Sequence, residues 1–250
     1  MESHGRLHET RNTAMNATPF ATIVETMLPS LLSGDRAAVR TLVARSLGSG
    51  ISAEDFTEQV AWPIHEALHK LDRHDQIERI SFNYATRLLR QVVDQMQLAY
   101  VRSERNGKTV TLFCGSGENE DLGGQMAADL LEAAGFAVQF AGGGVASDEI
   151  LEETSRRKPD FLVLFASSAT DAPGIRAVID QIREIRATPD MEIAVGGGVF
   201  NRADGLAEAI GVSRSARTPM DLVRTLQAPA PAKAEAKPAA ARPARVRAVA

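Results

Sequence analysis

The feature that most constrains this chain is a regular alternation of short apolar runs with longer amphipathic segments after residue 108. The apolar runs are rich in β-branched and aromatic residues and read TVTLFC, AVQFA, DFLVLFA and MEIAVGG. Helical periodicity is found near 121–134, 147–157, 173–186 and 202–210. Such alternation is typical of a parallel sheet covered by helices, so we predict an α/β fold. A weak fifth strand near 211–216 and a last helix, TPMDLVRTL, would complete a doubly wound, flavodoxin-like sheet over 108–226.

The chain before this region has a different period. Residues 19–101 carry apolar side chains at helical spacing and predict four helices with short connections, which favours an antiparallel bundle. Asp35 is placed to cap the second helix, and Ser52 with Asp55 resembles a capping box at the start of the third. Pro29 is expected to kink the first helix.

Both ends of the chain predict disorder. Residues 1–18 are polar and without pattern, and 227–250 form a tail rich in Ala, Pro and basic residues. The tail has five Lys or Arg against one Glu from residue 228 onward, so it is either a solvated flexible segment or a weak electrostatic tether to nucleic acid or an acidic partner.

Composition excludes some classes of protein. A formal net charge of -4 excludes a strongly basic nucleic-acid binder over the whole chain. Cys114 is the one cysteine and cannot form an internal disulfide, which favours a reducing compartment. We expect a cytoplasmic protein without membrane contact, because no signal peptide or long apolar stretch is evident. The sequence is compatible with a homo-oligomer.

The segments that follow the strands are rich in Gly and Ser: CGSGENEDLGG, AGGGVAS, ASSATDAPG and GGGVFNR. Ligands of open parallel sheets gather at the carboxyl ends of the strands, and glycine lets the backbone approach a ligand closely. We therefore predict a ligand site at this edge, where the glycines permit close approach by a flat or bulky ligand.

These loops resemble a known family. GENEDLG at 117–123 is similar to the G-[DE]-x-H-x-x-G loop of the cobalamin-binding domain of methionine synthase, corrinoid methyl carriers, base-off mutases and cobalamin-dependent photoreceptor repressors. Gly196 and Gly197 resemble its GG loop, and FASSATDAPGIRAVI its serine loop, although Phe165 stands at the serine position and Ser167 fits with a small shift. The stretch from SLLSGD to AWPI resembles the helical cap before this domain.

The resemblance implies a groove between the bundle and the sheet edge that is shaped for a flat macrocycle. The cofactor site that it implies is formed by Gly117, Glu118, Glu120, Asp121, Gly123, Ser167, Ser168, Gly196 and Gly197. In the family, the loop histidine is the lower axial ligand of cobalt, but Glu120 stands at that position here, and Glu118 at the position of the supporting acid. Carboxylate is a poorer ligand for low-spin cobalt than imidazole, so ordinary histidine-on binding is not expected. The alternative is that these acids are solvated near a helix start.

The photoreceptor members also carry W-x(9)-E-H on the cap. The matching positions are Asp72, Phe82 and Asn83, which the resemblance places over the cofactor. None of the three family residues is retained, so photochemistry of that type is not supported. Trp62 is interpreted as a packing residue.

Two histidines are candidate metal ligands. His65 and His69 lie at i and i+4 and share one face of the third helix, from which they could bind a transition metal or reach an axial position. The alternative is that both are ordinary surface or bundle residues. Cys114 is either a small buried residue or a thiolate ligand of haem iron.

The sequence shows no pattern of a self-sufficient enzyme, such as a P-loop or a metalloprotease helix. The preferred hypothesis is a regulatory or sensor protein that binds a corrinoid without a histidine ligand, or another tetrapyrrole such as haem or a bilin, and signals through partner contacts. The second is a corrinoid methyl carrier that serves a separate methyltransferase. The third is a ligand-free scaffold for protein interaction.

Overall fold

A computed structural model describes residues 19–117, 121–186 and 188–229 of the chain. The helices that precede the sheet are α1 (Pro19–Leu32), α2 (Arg36–Gly48), α3 (Ala53–Phe56), α4 (Trp62–Arg73) and α5 (Arg79–Gln97). The strands are β1 (Thr109–Cys114), β2 (Ala137–Gly142), β3 (Phe161–Phe165), β4 (Glu192–Gly196) and β5 (Arg214–Ala216). The later helices are α6 (Asp121–Ala133), α7 (Ser147–Arg157), α8 (Ala172–Ile185), α9 (Gly198–Arg202), α10 (Leu206–Ala209) and α11 (Pro219–Gln227).

Side-chain caps fix the starts of two bundle helices. The Asp35 carboxylate accepts hydrogen bonds from the backbone N–H groups of Ala37 and Ala38, at 3.1 and 3.0 Å. The Ser52 hydroxyl accepts one from the N–H of Asp55 at 3.0 Å. A five-residue π-helical segment, Thr57–Ala61, joins α3 to α4, so the third predicted helix runs on with a local widening.

The five strands are all parallel and lie in the order β2-β1-β3-β4-β5, which confirms the predicted flavodoxin-like sheet behind a helical bundle. Every residue of β3 is buried, as expected for a central strand covered on both faces. The edge strand β2 is only partly buried. In the sheet register, Cys114 pairs with Phe165, which pairs with Gly196.

Two hydrophobic cores lie on opposite faces of the sheet. The first is continuous with the bundle and covers the face that α6 and α11 pack against, where Leu112, Val163 and Phe165 lie. The second covers the face toward α7 and α8, where Phe113 and Leu164 lie. The bundle therefore packs as an extension of one face of the sheet and leaves the other face to its own helices.

One predicted element differs from the structure. The helix expected near 202–210 is two short helices, because Gly205 adopts a left-handed backbone with φ of 76° and interrupts it. None of the described helices is both long and apolar enough to cross a membrane. The predictions for residues 1–18 and for the tail from 230 onward concern parts of the chain outside the described residues.

Candidate functional site

The loops at the carboxyl edge of the sheet are joined by backbone hydrogen bonds. The N–H of Gly115 donates to the carbonyl of Phe165, and the N–H of Ala166 donates to the carbonyl of Gly196, each at 2.9 Å. The N–H of Gly144 donates to the carbonyl of Gly115 at 3.3 Å. These bonds continue the sheet pairing past the strand ends, so the edge is a fixed platform.

Gly197 is required by this platform. Its φ of 99° lies in the left-handed region, and a Cβ atom at this position would collide with the backbone carbonyl of Ala166. Glycine at this position therefore allows the loop after β4 to contact the loop after β3 closely.

A polar cluster ties α5 to the start of α6. The Arg90 guanidinium donates to the Asp121 carboxylate at 2.6 Å and to the Gln125 side chain at 2.7 Å. Gln125 in turn donates to Asp94 of α5 at 2.7 Å. Asp121, a predicted site residue, is thus held by the bundle at the first turn of α6, where the helix dipole favours its charge.

A second tie joins the bundle to α11. The Glu58 carboxylate accepts from the Thr218 hydroxyl at 2.8 Å and from the backbone N–H of Met220 at 3.3 Å. A carboxylate at a helix N-terminus is favourable both as a hydrogen-bond acceptor and as a charge. The bundle is therefore anchored at the starts of two sheet helices.

Between these ties, α4 presents a row of rings to the strand ends. Trp62, His65 and His69 lie on one face of the helix, with ring centroids 5.3 Å apart for the first pair and 4.4 Å for the second. Trp62 also meets Phe165 edge-on at 6.1 Å, and His69 meets Phe82 of α5 at 5.5 Å. The packing role expected for Trp62 agrees with its 5% exposure in this row.

The rings converge on a glycine of the predicted site. A Cβ atom placed on Gly123 would lie 2.9 Å from Cε1 of Phe165, 3.1 Å from Nε2 of His65 and 3.3 Å from Cζ3 of Trp62. A Cβ atom on Gly196 would lie 2.9 Å from Cε2 of the same Phe165 ring. The groove that we expected to find shaped for a flat ligand is thus filled, at these two glycines, by the side chain that stands at the serine position.

Both α4 imidazoles are held in the neutral form. Burial lowers the pKa of His65 well below its ordinary value of 6.5, and the nearby His69 and Arg90 lower it further. Burial likewise lowers the pKa of His69 to about 4, with Arg73 acting in the same direction and Asp72 opposing it. The Nε2 atoms of both rings are buried and have no hydrogen-bond partner among the described residues. A neutral imidazole whose Nδ1 carries the proton offers a lone pair at Nε2.

A carboxylate and a guanidinium lie beside this row. Arg202 of α9 donates to the backbone carbonyl of Ser167, and a Cβ atom on Gly198 would lie 3.2 Å from Oε1 of Glu66 on α4. Burial raises the pKa of Glu66, against the opposing effect of Arg202. This corner therefore places charged groups from the bundle and from the sheet edge next to each other.

The structure separates the predicted site residues into groups. The set that lies on the platform or at the start of α6 is Gly117, Asp121, Gly123, Ser167, Ser168, Gly196 and Gly197. Glu118 and Glu120 lie outside the described residues. Ser167 is 4% exposed, whereas the Ser168 hydroxyl caps the short turn that starts at Ala169 by accepting from the N–H of Thr170 at 3.3 Å.

The three cap positions do not form one cluster. Phe82 is buried against His69 and so adjoins the row of rings. Asp72 pairs with Arg79 at 3.5 Å, and Asn83 lines a separate polar groove between α5 and the turn that joins α1 to α2. The structure therefore associates only Phe82 with the candidate site.

Sequence reasoning did not assign Phe165, Glu66, Arg90 and Arg202 to the site. Phe165 had a usable signal, since a large ring stood where the resemblance implied a serine. The spacing of Trp62, His65 and His69 also places all three on one helical face. No sequence pattern indicates Glu66 and Arg202, because only the tertiary fold brings α4 and α9 together.

Residues 108–223 match the B12 binding domain family. This segment is a B12-binding domain. The match includes the whole sheet and the loops at its carboxyl edge, which is the edge where open parallel sheets bind their ligands.

Two relatives extend the comparison. Monomethylamine corrinoid protein 2 of Methanosarcina acetivorans is 25% identical over 105 residues, which cover 41% of this chain and 48% of that protein. The match thus spans about half the length of that relative. The structure of the Methanosarcina barkeri monomethylamine corrinoid protein aligns with a TM-score of 0.73 and 17% identity, over 82% of this chain and 97% of that one. The latter shows a shared fold that includes the helices before the B12-binding domain.

The donor chemistry of the site fits the cobalt of a corrinoid. No group of three or more His, Cys, Asp or Glu residues within the described part of the chain is arranged to hold a bare metal ion. A corrinoid brings its own equatorial nitrogens and needs at most an axial donor from the protein, and the partnerless Nε2 atoms of His65 and His69 have that chemistry. Space for the ring requires that α4 separate from Phe165 and Gly123.

Proposed function

We propose that this protein is a corrinoid-binding methyl carrier that serves a separate methyltransferase. The observation that carries the proposal is the B12-binding domain at 108–223, whose ligand-facing edge is covered by a helical bundle with buried, neutral imidazoles. The curated relative, named as a monomethylamine corrinoid protein, supports this function over the sensor hypothesis.

In this proposal the corrinoid supplies a cobalt centre that accepts and releases a methyl group. The platform would hold the cofactor, because loops without bulky side chains, such as those at Ser167 and Gly197, would allow close contact. The bundle would shield the cofactor from water on the other side, after α4 has moved away from Phe165 and Gly123 to admit the ring. The methyltransferase, as the protein partner, provides catalysis, so the chain acts as a carrier subunit.

Two polar ties join the bundle to the starts of α6 and α11. Arg90 with Asp121, and Glu58 with Thr218, are partly exposed contacts at the rim of the covered area. Partly exposed polar contacts contribute little stability each, so the apolar packing of α4 on Phe165 and Gly123 provides most of the resistance to opening. A partner that competes for these charged groups would loosen the bundle at two points of its contact with the sheet domain.

The test is reconstitution of the purified protein with methylcobalamin, cobinamide, hemin or biliverdin, followed by gel filtration and an absorbance spectrum. Retained corrinoid that loses its methyl group to an acceptor, in the presence of a methyltransferase, supports the carrier. Retention of hemin or biliverdin alone favours the tetrapyrrole sensor. A protein that stays colourless with all four compounds contradicts the proposal and favours the scaffold hypothesis.

A further inference from the structure

The outer face of α5 exposes a large share of the apolar surface of this protein. Six large apolar side chains are exposed within the described part of the chain, and four of them belong to α5 or to the residues directly after it: Ile80, Tyr84, Leu98 and Val101. Ile80 is 52% exposed, Tyr84 46% and Leu98 83%. Single exposed apolar residues are common, but a row of them along one helix indicates a surface that another molecule covers.

These side chains share one stripe of the helix with polar residues. The α5 stripe is defined by six residues spaced three or four apart: Ile80, Tyr84, Arg87, Gln91, Asp94 and Leu98. Because an α-helix has 3.6 residues per turn, all six lie on one side of α5. The middle of the stripe lines the polar groove between α5 and the turn that joins α1 to α2. The stripe therefore has apolar ends and a polar middle.

The two charged residues in the middle of the stripe have no partner of opposite charge. Arg87 is exposed and makes no ion pair within the described part of the chain, whereas the neighbouring Arg90 pairs with Asp121. Asp94 is also exposed, and the hydrogen bond that it accepts at 2.7 Å comes from the neutral amide of Gln125. The stripe thus presents a cation on its N-terminal half and an anion on its C-terminal half.

This order of charges makes the stripe complementary to itself in the antiparallel direction. Arg87 lies as many residues before the point between Arg90 and Gln91 as Asp94 lies after that point. A two-fold axis through this point would place Arg87 of each copy beside Asp94 of the other. A parallel pair of helices would instead set Arg87 against Arg87, so the charges select the antiparallel arrangement.

The same axis brings the apolar ends together. Leu98 of one copy would fall between Ile80 and Tyr84 of the other, at both ends of a helix pair about 27 Å long. Each end of the stripe is therefore covered by the opposite end of the second copy. The apolar residues and the charged residues are thus satisfied by one and the same arrangement.

We propose that the α5 stripe is the interface of a homodimer in which the α5 helices of two copies pack antiparallel. A second copy suits the stripe better than nucleic acid does, because Asp94 and the apolar ends oppose contact with a phosphate backbone. Such a contact uses the same patch on both copies, so assembly stops at the dimer. One helix from each copy forms a small interface, and we expect the dimer to dissociate on dilution.

Sedimentation velocity of the full chain over a range of protein concentrations, at low ionic strength, tests the proposal. We expect a monomer–dimer equilibrium. Arg87→Asp and Asp94→Arg should each raise the dissociation constant of the dimer by about tenfold or more, because each change creates two like-charge contacts per dimer. An equimolar mixture of the two variants should dimerise as the wild type does, since every reversed charge then meets its opposite.

The apolar ends are tested by a matched pair of substitutions. Leu98→Glu should favour the monomer, because it places a charge in the apolar contact. Ile185→Glu is the control, because Ile185 at the end of α8 is 56% exposed and lies off the stripe. It should leave the dissociation constant unchanged. The substituted side chains are all exposed, so we expect the variants to fold, and circular dichroism checks that they do.

Three results would overturn the proposal. The first is a wild type that stays monomeric at every concentration, which would assign the stripe to a different partner. The second is a dimer that Ile185→Glu weakens and Leu98→Glu does not. The third is a mixture of Arg87→Asp and Asp94→Arg that stays as monomeric as either variant alone. None of them bears on the carrier function, which reconstitution with a corrinoid tests separately.

Discussion

The two flanks of the sheet's carboxyl edge are built differently. The bundle flank, formed by α4, α6 and Phe165, is packed by rings that leave Trp62, His65 and Phe165 at most 5% exposed. The open flank, formed by α7, α8 and Phe113, contains a crevice of about 250 Å³. Phe113 and Phe165 lie on neighbouring strands and are similarly buried, yet they face opposite cores.

The comparison shows that small residues do not by themselves indicate an empty groove. Gly123 near the start of α6 and Gly196 at the end of β4 accommodate an aromatic side chain of the protein on the bundle flank. We infer that Phe165 and α4 occupy the space that a corrinoid needs, and that the bundle flank exchanges protein contacts for cofactor contacts. The open flank should take no part in this exchange.

Phe165→Ala should have the largest effect. Truncating a buried Phe costs about 3 to 5 kcal/mol of the free energy of unfolding through lost contacts and a cavity. The same change should speed the uptake of cobinamide, because the ring that fills the space beside Gly123 and Gly196 is gone. Urea unfolding and stopped-flow absorbance measure the two effects.

Phe113→Ala is the matched control on the open flank. It should lose about the same stability, since Phe113 is 2% exposed, but leave the rate of cobinamide uptake unchanged. Equal uptake by the two variants would show that the two flanks do not differ in the proposed way.

The buried histidines predict a loss of stability in acid that is confined to the bundle flank. The folded-state pKa of His69, about 4, lies below the unfolded value of 6.5, so the unfolded chain binds more protons between these values. Stability is therefore complete above pH 6.5 and falls as the pH drops toward 4. From pH 7 to 5 the loss for this group is about 2 kcal/mol.

His69→Gln should remove this share of the pH dependence in urea unfolding, whereas the exposed His74→Gln should not. The comparison of variants is needed because Asp129 of α6 acts in the opposite direction. Burial raises its pKa to about 6, which favours the folded state as the pH falls. An unchanged pH dependence in His69→Gln would argue that the ring is not buried in the neutral form.

Much of the fold could be predicted from the sequence, and the state of the site could not. The run TVTLFC predicts β1 with its observed bounds because β-branched and aromatic residues follow one another between turn residues. The contact of His65 with Gly123 joins residues from the bundle and the sheet, so no local pattern indicates it. The sequence shows Phe165 at a position where the family has serine. Only the structure shows that its ring fills the space beside Gly123 and Gly196.

A pair of glycine substitutions compares the two flanks with smaller changes in the free energy of unfolding. Gly123→Ala should lower the free energy of unfolding by about 1 to 2 kcal/mol, because overpacking against three rings outweighs the gain in helix propensity. Gly174→Ala in α8, on the open flank, should be neutral or stabilise by up to about 1 kcal/mol, because nothing lies within 4 Å of the new Cβ atom. Equal effects in thermal unfolding would mean that the rings do not press on α6.

Arg90→Met should have the smallest effect on stability, about 1 kcal/mol, because its ion pair with Asp121 is partly exposed. Its effect on opening should be easier to detect, since the guanidinium joins α5 to two side chains at the start of α6. Hydrogen exchange of the amides at Leu122 to Gln125 should become faster. Arg36→Met is the control, because Arg36 bonds to Gln91 within the bundle and does not reach the sheet. If both variants exchange as the wild type does, the tie does not hold the bundle flank closed, and the ring packing around Phe165 alone controls access to the platform.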